Sequence, residues 1–115
     1  MSSEFITGDS KTKLVQLKIN NATFAIAPTS VVTAQLVTKD KMKVLTAEPV
    51  SCADDMLGAD WDTSLVAVKF PRASTAGVKT FGAALLEIQV TTDPIGDPED
   101  WTFYIPVTIT KGNLA

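Results

Sequence analysis

Near its C-terminal end the chain carries two stretches in which apolar and polar side chains alternate almost without a break, and this alternation limits the possible folds more than any other feature. Ala83–Thr91 alternates around Ala84, Leu86, Ile88 and Val90, and Trp101–Thr110 around Trp101, Phe103, Ile105, Val107 and Ile109. A period of two puts every second side chain on one face, the signature of a half-buried strand, and it does not fit the period of an amphipathic helix. Between the two stretches lie Pro94, Gly96 and Pro98. Prolines and a glycine at this spacing stop a helix and suit a hairpin loop.

The pattern recurs upstream in shorter pieces. Val15, Leu17 and Ile19 alternate with Gln16 and Lys18, Asn20-Asn21 marks a turn, and Thr23–Ala27 reads as a short strand stopped by Pro28. Ser30–Thr38 is rich in β-branched residues and leads through Lys39-Asp40-Lys41, the natural hairpin connection, into Lys43–Leu45 and Val50–Cys52. Pro49 between those last two fits an edge, a bulge or two separate short strands. Ala53–Thr63 is a polar loop with room for one helical turn and Trp61 as its anchor, Leu65–Phe70 is a strand ended by Pro71, and Arg72–Lys79 has no strong pattern. About seven short strands without a stretch of helical period predict an all-β fold, an antiparallel immunoglobulin-like β-sandwich.

With 115 residues, 45% of them hydrophobic, the chain can bury one core and not two. The expected organisation is a flexible N-terminal arm over 1–12, polar apart from Phe5 and Ile6, a β-sandwich domain over 13–112 and a short C-terminal tail over 113–115. Cys52 is the only cysteine, so the core must hold by apolar burial without an intramolecular disulfide.

The same inventory excludes function classes. Histidine is absent, which removes the commonest general base, the Ser/His and Cys/His nucleophile pairs and the commonest transition-metal ligand together. A lone thiol cannot build a multi-cysteine zinc site. With 10 basic against 13 acidic residues and a net charge of −3, there is no general positive field for a nucleic acid. No apolar run approaches the ~20 residues of a membrane-spanning helix, and the first residues carry no basic and apolar signal pattern. The expectation is a non-enzymatic protein without cofactor, made in the cytoplasm.

Two acidic clusters, Asp54, Asp55, Asp60 and Asp62, and Asp93, Asp97, Glu99 and Asp100, could offer oxygen ligands to calcium, but neither has the spacing of an EF-hand loop, and solvated acidic loops are the commoner case. Trp61, Trp101 and Tyr104 could stack on a sugar, against the more frequent role of strand aromatics as core. For partner binding by edges and loops the candidates are Phe5, Ile6, Trp61, Asp93, Pro94, Ile95 and Asp97.

The order of these features resembles the immunoglobulin-like domains at the N-terminus of phage baseplate upper proteins and in tail-fibre-associated proteins. The residues that carry the resemblance are Gly8-Asp9 leading into Val15–Ile19, Ser30–Leu36, Asp60-Trp61 before Leu65–Phe70, Gly82–Val90, then Trp101 with its alternating strand and the closing Thr110-Lys111-Gly112-Asn113. The resemblance implies a virion structural or adaptor protein of the tail, baseplate or fibre assembly. It would bind other phage tail or fibre proteins within symmetric homo-oligomers and bring no catalytic residues. The competing expectations are a carbohydrate- or cell-surface-binding module using Trp61 or Trp101, and a phage-encoded inhibitor of a host protein.

Overall fold

The two best-patterned segments form the centre of the molecule. In the computed structural model, which describes residues 3–8, 11–46, 48–92, 96 and 99–112, strands β6 (Gly82–Thr92) and β7 (Glu99–Thr110) pair antiparallel, with Gly82 opposite Ile109 and Thr92 opposite Glu99. Strand β3 (Val31–Val37) pairs antiparallel with the other side of β6, and β4 (Val50–Ser51) closes that flank. On the far side β1 (Ser3–Ile6) lies parallel to β7, with Ser3 opposite Val107 and Ile6 opposite Thr110. The five-stranded sheet therefore runs β1-β7-β6-β3-β4 and is mixed, while β2 (Lys13–Gln16) and β5 (Leu65–Val68) form a separate antiparallel pair.

Alternation explains how one core serves both sheets. Val32, Ala34 and Leu36 on β3, Ala84, Leu86, Ile88 and Val90 on β6, and Val107 and Ile109 on β7 are buried in one cluster with Val15 of β2 and Val66 and Val68 of β5. Leu86 and Ile88 are fully enclosed. A completely buried Leu or Ile contributes about 1.5–3 kcal/mol, so the loss of any one of them is felt by the whole domain.

Several expectations are corrected. The sheet is mixed rather than purely antiparallel, because the N-terminal residues add to it in the parallel sense. Residues 3–6, expected as part of a flexible arm, form β1: Phe5 is 6% exposed and packs edge-on against Phe70 at 5.6 Å, which offsets the entropy of ordering the segment. Thr23–Ala27 is not a strand. Asn20 and Asn21 both take positive φ (53° and 64°), folding Ile19 onto Ala22 in a tight two-residue turn, and the following residues run as a loop held by Ile26 N–H donating to the Trp61 carbonyl at 2.8 Å. Lys43–Leu45 makes only an isolated bridge, Val44 to Val37, so the 38–46 connection is a loop. The unpatterned connection contains a short helix α1 (Arg72–Ala76) directly after Pro71, whereas the 53–63 loop holds the single helical turn expected of it, a 3-10 turn over Trp61–Thr63.

The two chain ends are fastened together. Thr7 N–H donates to the Thr110 carbonyl (3.0 Å), Gly112 N–H to Thr7 Oγ1 (3.0 Å), and Gly8 N–H to Thr75 Oγ1 on α1 (2.9 Å). A Cβ at Gly112 would stand 2.0 Å from the Thr7 carbonyl oxygen, so only glycine permits this approach.

Candidate functional site

The feature best suited to binding is the uncovered half of β7. Strand β1 reaches only Val107–Thr110, and among the described residues no strand lies beside Glu99–Pro106 on that flank. Which groups face outward follows from one hydrogen bond. Because the Thr110 carbonyl accepts from Thr7, the residue that follows β1, and because N–H and C=O groups of successive residues point to opposite flanks of a strand, Thr108, Pro106, Tyr104, Thr102 and Asp100 turn their backbone polar groups to the same side. Pro106 has no N–H to offer there, which is why a proline is tolerated inside a long strand, and it marks where β1 stops. Beyond it, the N–H groups of Tyr104 and Thr102 point to the flank on which no described strand lies.

An apolar hollow of about 180 Å³ lies at the end of the β6–β7 pair and meets the open half of β7 at Trp101. Its walls include Ile19, Phe24, Ile26, Val90 and Trp101. The asparagine turn and the Phe24 N–H bond to Ser64 Oγ (3.4 Å) bring the 23–27 loop across β7, where Phe24 stacks on Phe103 with ring centres 5.7 Å apart and planes 14° from parallel. Ser64 is itself held at φ 56°, fully buried, its hydroxyl donating to the Leu17 carbonyl at 2.5 Å. Trp101, on the wall of the hollow, stays 41% exposed.

On the opposite face, Gln35, Glu87 and Tyr104 form a row across three strands. Gln35 Nε2 donates to Glu87 Oε1 (2.7 Å), and the Glu87 carboxylate, bonded to the Tyr104 hydroxyl, pushes that phenol above its ordinary range. The 38–43 loop places Lys41 Nζ 4.2 Å from the centre of the Tyr104 ring. Its geometry is set by Asp40, which accepts from the Thr38 hydroxyl and from Met42 N–H; these bonds hold the carboxyl below the usual carboxylate range.

The residues expected to bind partners are not gathered at this site. Phe5 is in the core, Ile6 is partly buried beside it on β1, and Trp61 is 7% exposed with its Nε1 lacking a hydrogen-bond partner among the described groups. Asp93, Pro94, Ile95 and Asp97 lie outside the described residues. Trp101 and Tyr104, weighted toward the core by their strand context, are instead 41% and 37% exposed. The overlooked signal was Pro106: a proline inside an alternating strand marks a flank that is not engaged in a ladder.

No other chemistry is assembled nearby. Among the described residues no three Asp, Glu, Cys or His side chains converge as a metal-binding group. Cys52 is buried, and that burial pushes its thiol up to about 11, far from the thiolate needed for nucleophilic work at neutral pH. No helix among the described residues is long and apolar enough to cross a membrane. No family model matches this chain, and no curated protein matches it.

Proposed function

We infer that the chain is a structural or adaptor protein of a phage virion, in its tail, baseplate or fibre assembly, built as an immunoglobulin-like β-sandwich and acting by protein contact rather than catalysis. The single observation carrying the contact function is the open half-edge of β7 with an apolar hollow beside it: a strand edge recognises extended backbone, and flanking hollows select side chains. Strand order supports the sandwich. With β7, β6 and β3 in the roles of G, F and C, β4 beside C, and β2 with β5 as B and E, the arrangement follows variable-type immunoglobulin topology. The order of motifs along the sequence supports the virion setting, with other tail or fibre proteins as partners. Mass spectrometry of purified particles tests it: the chain should be present in stoichiometric amount, and its absence from particles would refute the assignment.

Exposed Trp101 at the rim of the hollow favours a second reading, a carbohydrate-binding module. Glycan binding lost in Trp101→Ala with the fold retained would support it over the adaptor.

A further inference from the structure

The open half of β7 is complementary to itself. We propose that two copies of this chain pair antiparallel along it across a two-fold axis at Thr102, joining their five-stranded sheets into one. This goes beyond the virion assignment and does not depend on it.

The register follows from which residues face outward. In an antiparallel ladder, an outward-facing residue must meet another outward-facing residue to exchange both N–H···O bonds. Asp100, Thr102 and Tyr104 face the open flank, so an axis at Thr102 sets Thr102 against its own copy and Asp100 against Tyr104, using every available donor. An axis at Phe103 would oppose Asp100 to Pro106, which has no N–H, and an axis at Trp101 would carry Tyr104 past the start of β7. The Thr102 register alone pairs all three outward-facing donors with one another.

Side chains agree with that register on both faces. On the inner face it brings Trp101 of each copy against Phe103 of the other, covering the exposed indole and extending the Phe24–Phe103 stack. On the outer face it sets Asp100 of one copy beside Tyr104 of the other, whose ring already carries the Lys41 ammonium at 4.2 Å. Each carboxylate thus meets the other copy's cation, and Glu99 falls opposite Ile105, so no like charges face each other. This charge match, supplied wholly by the chain's own residues, favours a second copy over a foreign strand. The segment Glu99–Ile105 also lacks the lysines and prolines that blunt free edges, whereas Pro106 and β1 close the rest of the flank.

Sedimentation equilibrium on the full chain tests the proposal. The mass should rise with concentration from 12.3 kDa toward twice that value. Thr102→Pro removes a donor that faces the open flank and leaves the β6 ladder intact, as Pro106 does, and should weaken association by about tenfold or more through loss of the central bonds. Should that variant misfold, as near-UV circular dichroism would show, a charge exchange decides instead: Asp100→Lys and Lys41→Asp should each weaken the dimer several-fold and their combination should recover it. A wild-type chain that stays at 12.3 kDa, a dimer indifferent to Thr102→Pro, or a combined variant no better than its parents would each overturn the proposal. So would a monomer whose edge instead takes up a strand from another protein.

Discussion

Replacing Phe5 with alanine asks directly whether the N-terminal residues belong to the fold. The ring is 6% exposed and meets Phe70 edge-on at 5.6 Å. Truncating a buried Phe costs about 3–5 kcal/mol from lost transfer energy and the residual cavity. β1 is four residues long on an outer flank, so the mutant can escape part of that cost by releasing the strand locally, and the lower end, about 3 kcal/mol, is expected. For a chain of this size, with an m-value of about 1.5 kcal/mol/M in urea, the unfolding midpoint should fall by about 2 M. The melting temperature should fall by roughly 12 °C. Buried Trp61 provides the fluorescence signal. Phe5→Leu, which keeps most of the volume, should lose less than about 1.5 kcal/mol. Glu4→Ala, on the exposed side of the same strand, should lose about 0.5 kcal/mol or less. If Phe5→Ala unfolds within about 0.3 M of wild type, β1 is not part of the cooperative unit and its assignment to the core is refuted.

Two further substitutions probe the ends and the interior. Gly112→Ala forces a Cβ to within 2.0 Å of the Thr7 carbonyl oxygen, a backbone atom that cannot swing aside, so it should destabilise by about 2–4 kcal/mol and release the Thr7 amide to rapid hydrogen exchange; unchanged protection there would contradict the close approach. Burial raises the Cys52 thiol from 9.0 to about 11 in the folded state, so above pH 9 the unfolded chain gives up a proton that the folded chain retains. Stability linked to Cys52 is therefore full below pH 9 and falls between about 9 and 11, by on the order of 2–3 kcal/mol. Denaturant titrations of wild type and Cys52→Ala across that range should converge as the pH rises, and parallel curves would show that the thiol is not desolvated.

The parts of the fold legible in the sequence are those where local alternation and tertiary burial agree. β6 and β7 have an inner face that is apolar at every second position, and their register follows from it. β1 was not legible, because Ser3–Ile6 is too short to show a period and its ordering comes from a partner more than 100 residues away in the chain, Thr110 against Glu4 and Thr7. Thr23–Ala27 misleads in the opposite way: it has strand composition, but two left-handed asparagines aim it across β7 as a loop, a choice made by Ser64 and Trp61 on a distant segment. At the candidate site, the aromatic residues of β7 look like core by alternation. That Trp101 is left uncovered while Val107 and Ile109 on the same face of β7 are enclosed is a property of the assembled fold and of no local pattern. Trp61 and Phe5, with the same local credentials for a contact surface, are enclosed.

The parallel seating of β1 on β7 also decides how the domain would respond to tension. Force entering ahead of Ser3 and leaving beyond Gly112 runs in opposite senses along two strands that point the same way, so the bonds between them are sheared together instead of being peeled one at a time as in a hairpin. Rupture under load is set by the rate of unfolding and not by the equilibrium free energy. A short strand that adds modestly to stability in solution can therefore govern how much pull the whole domain withstands.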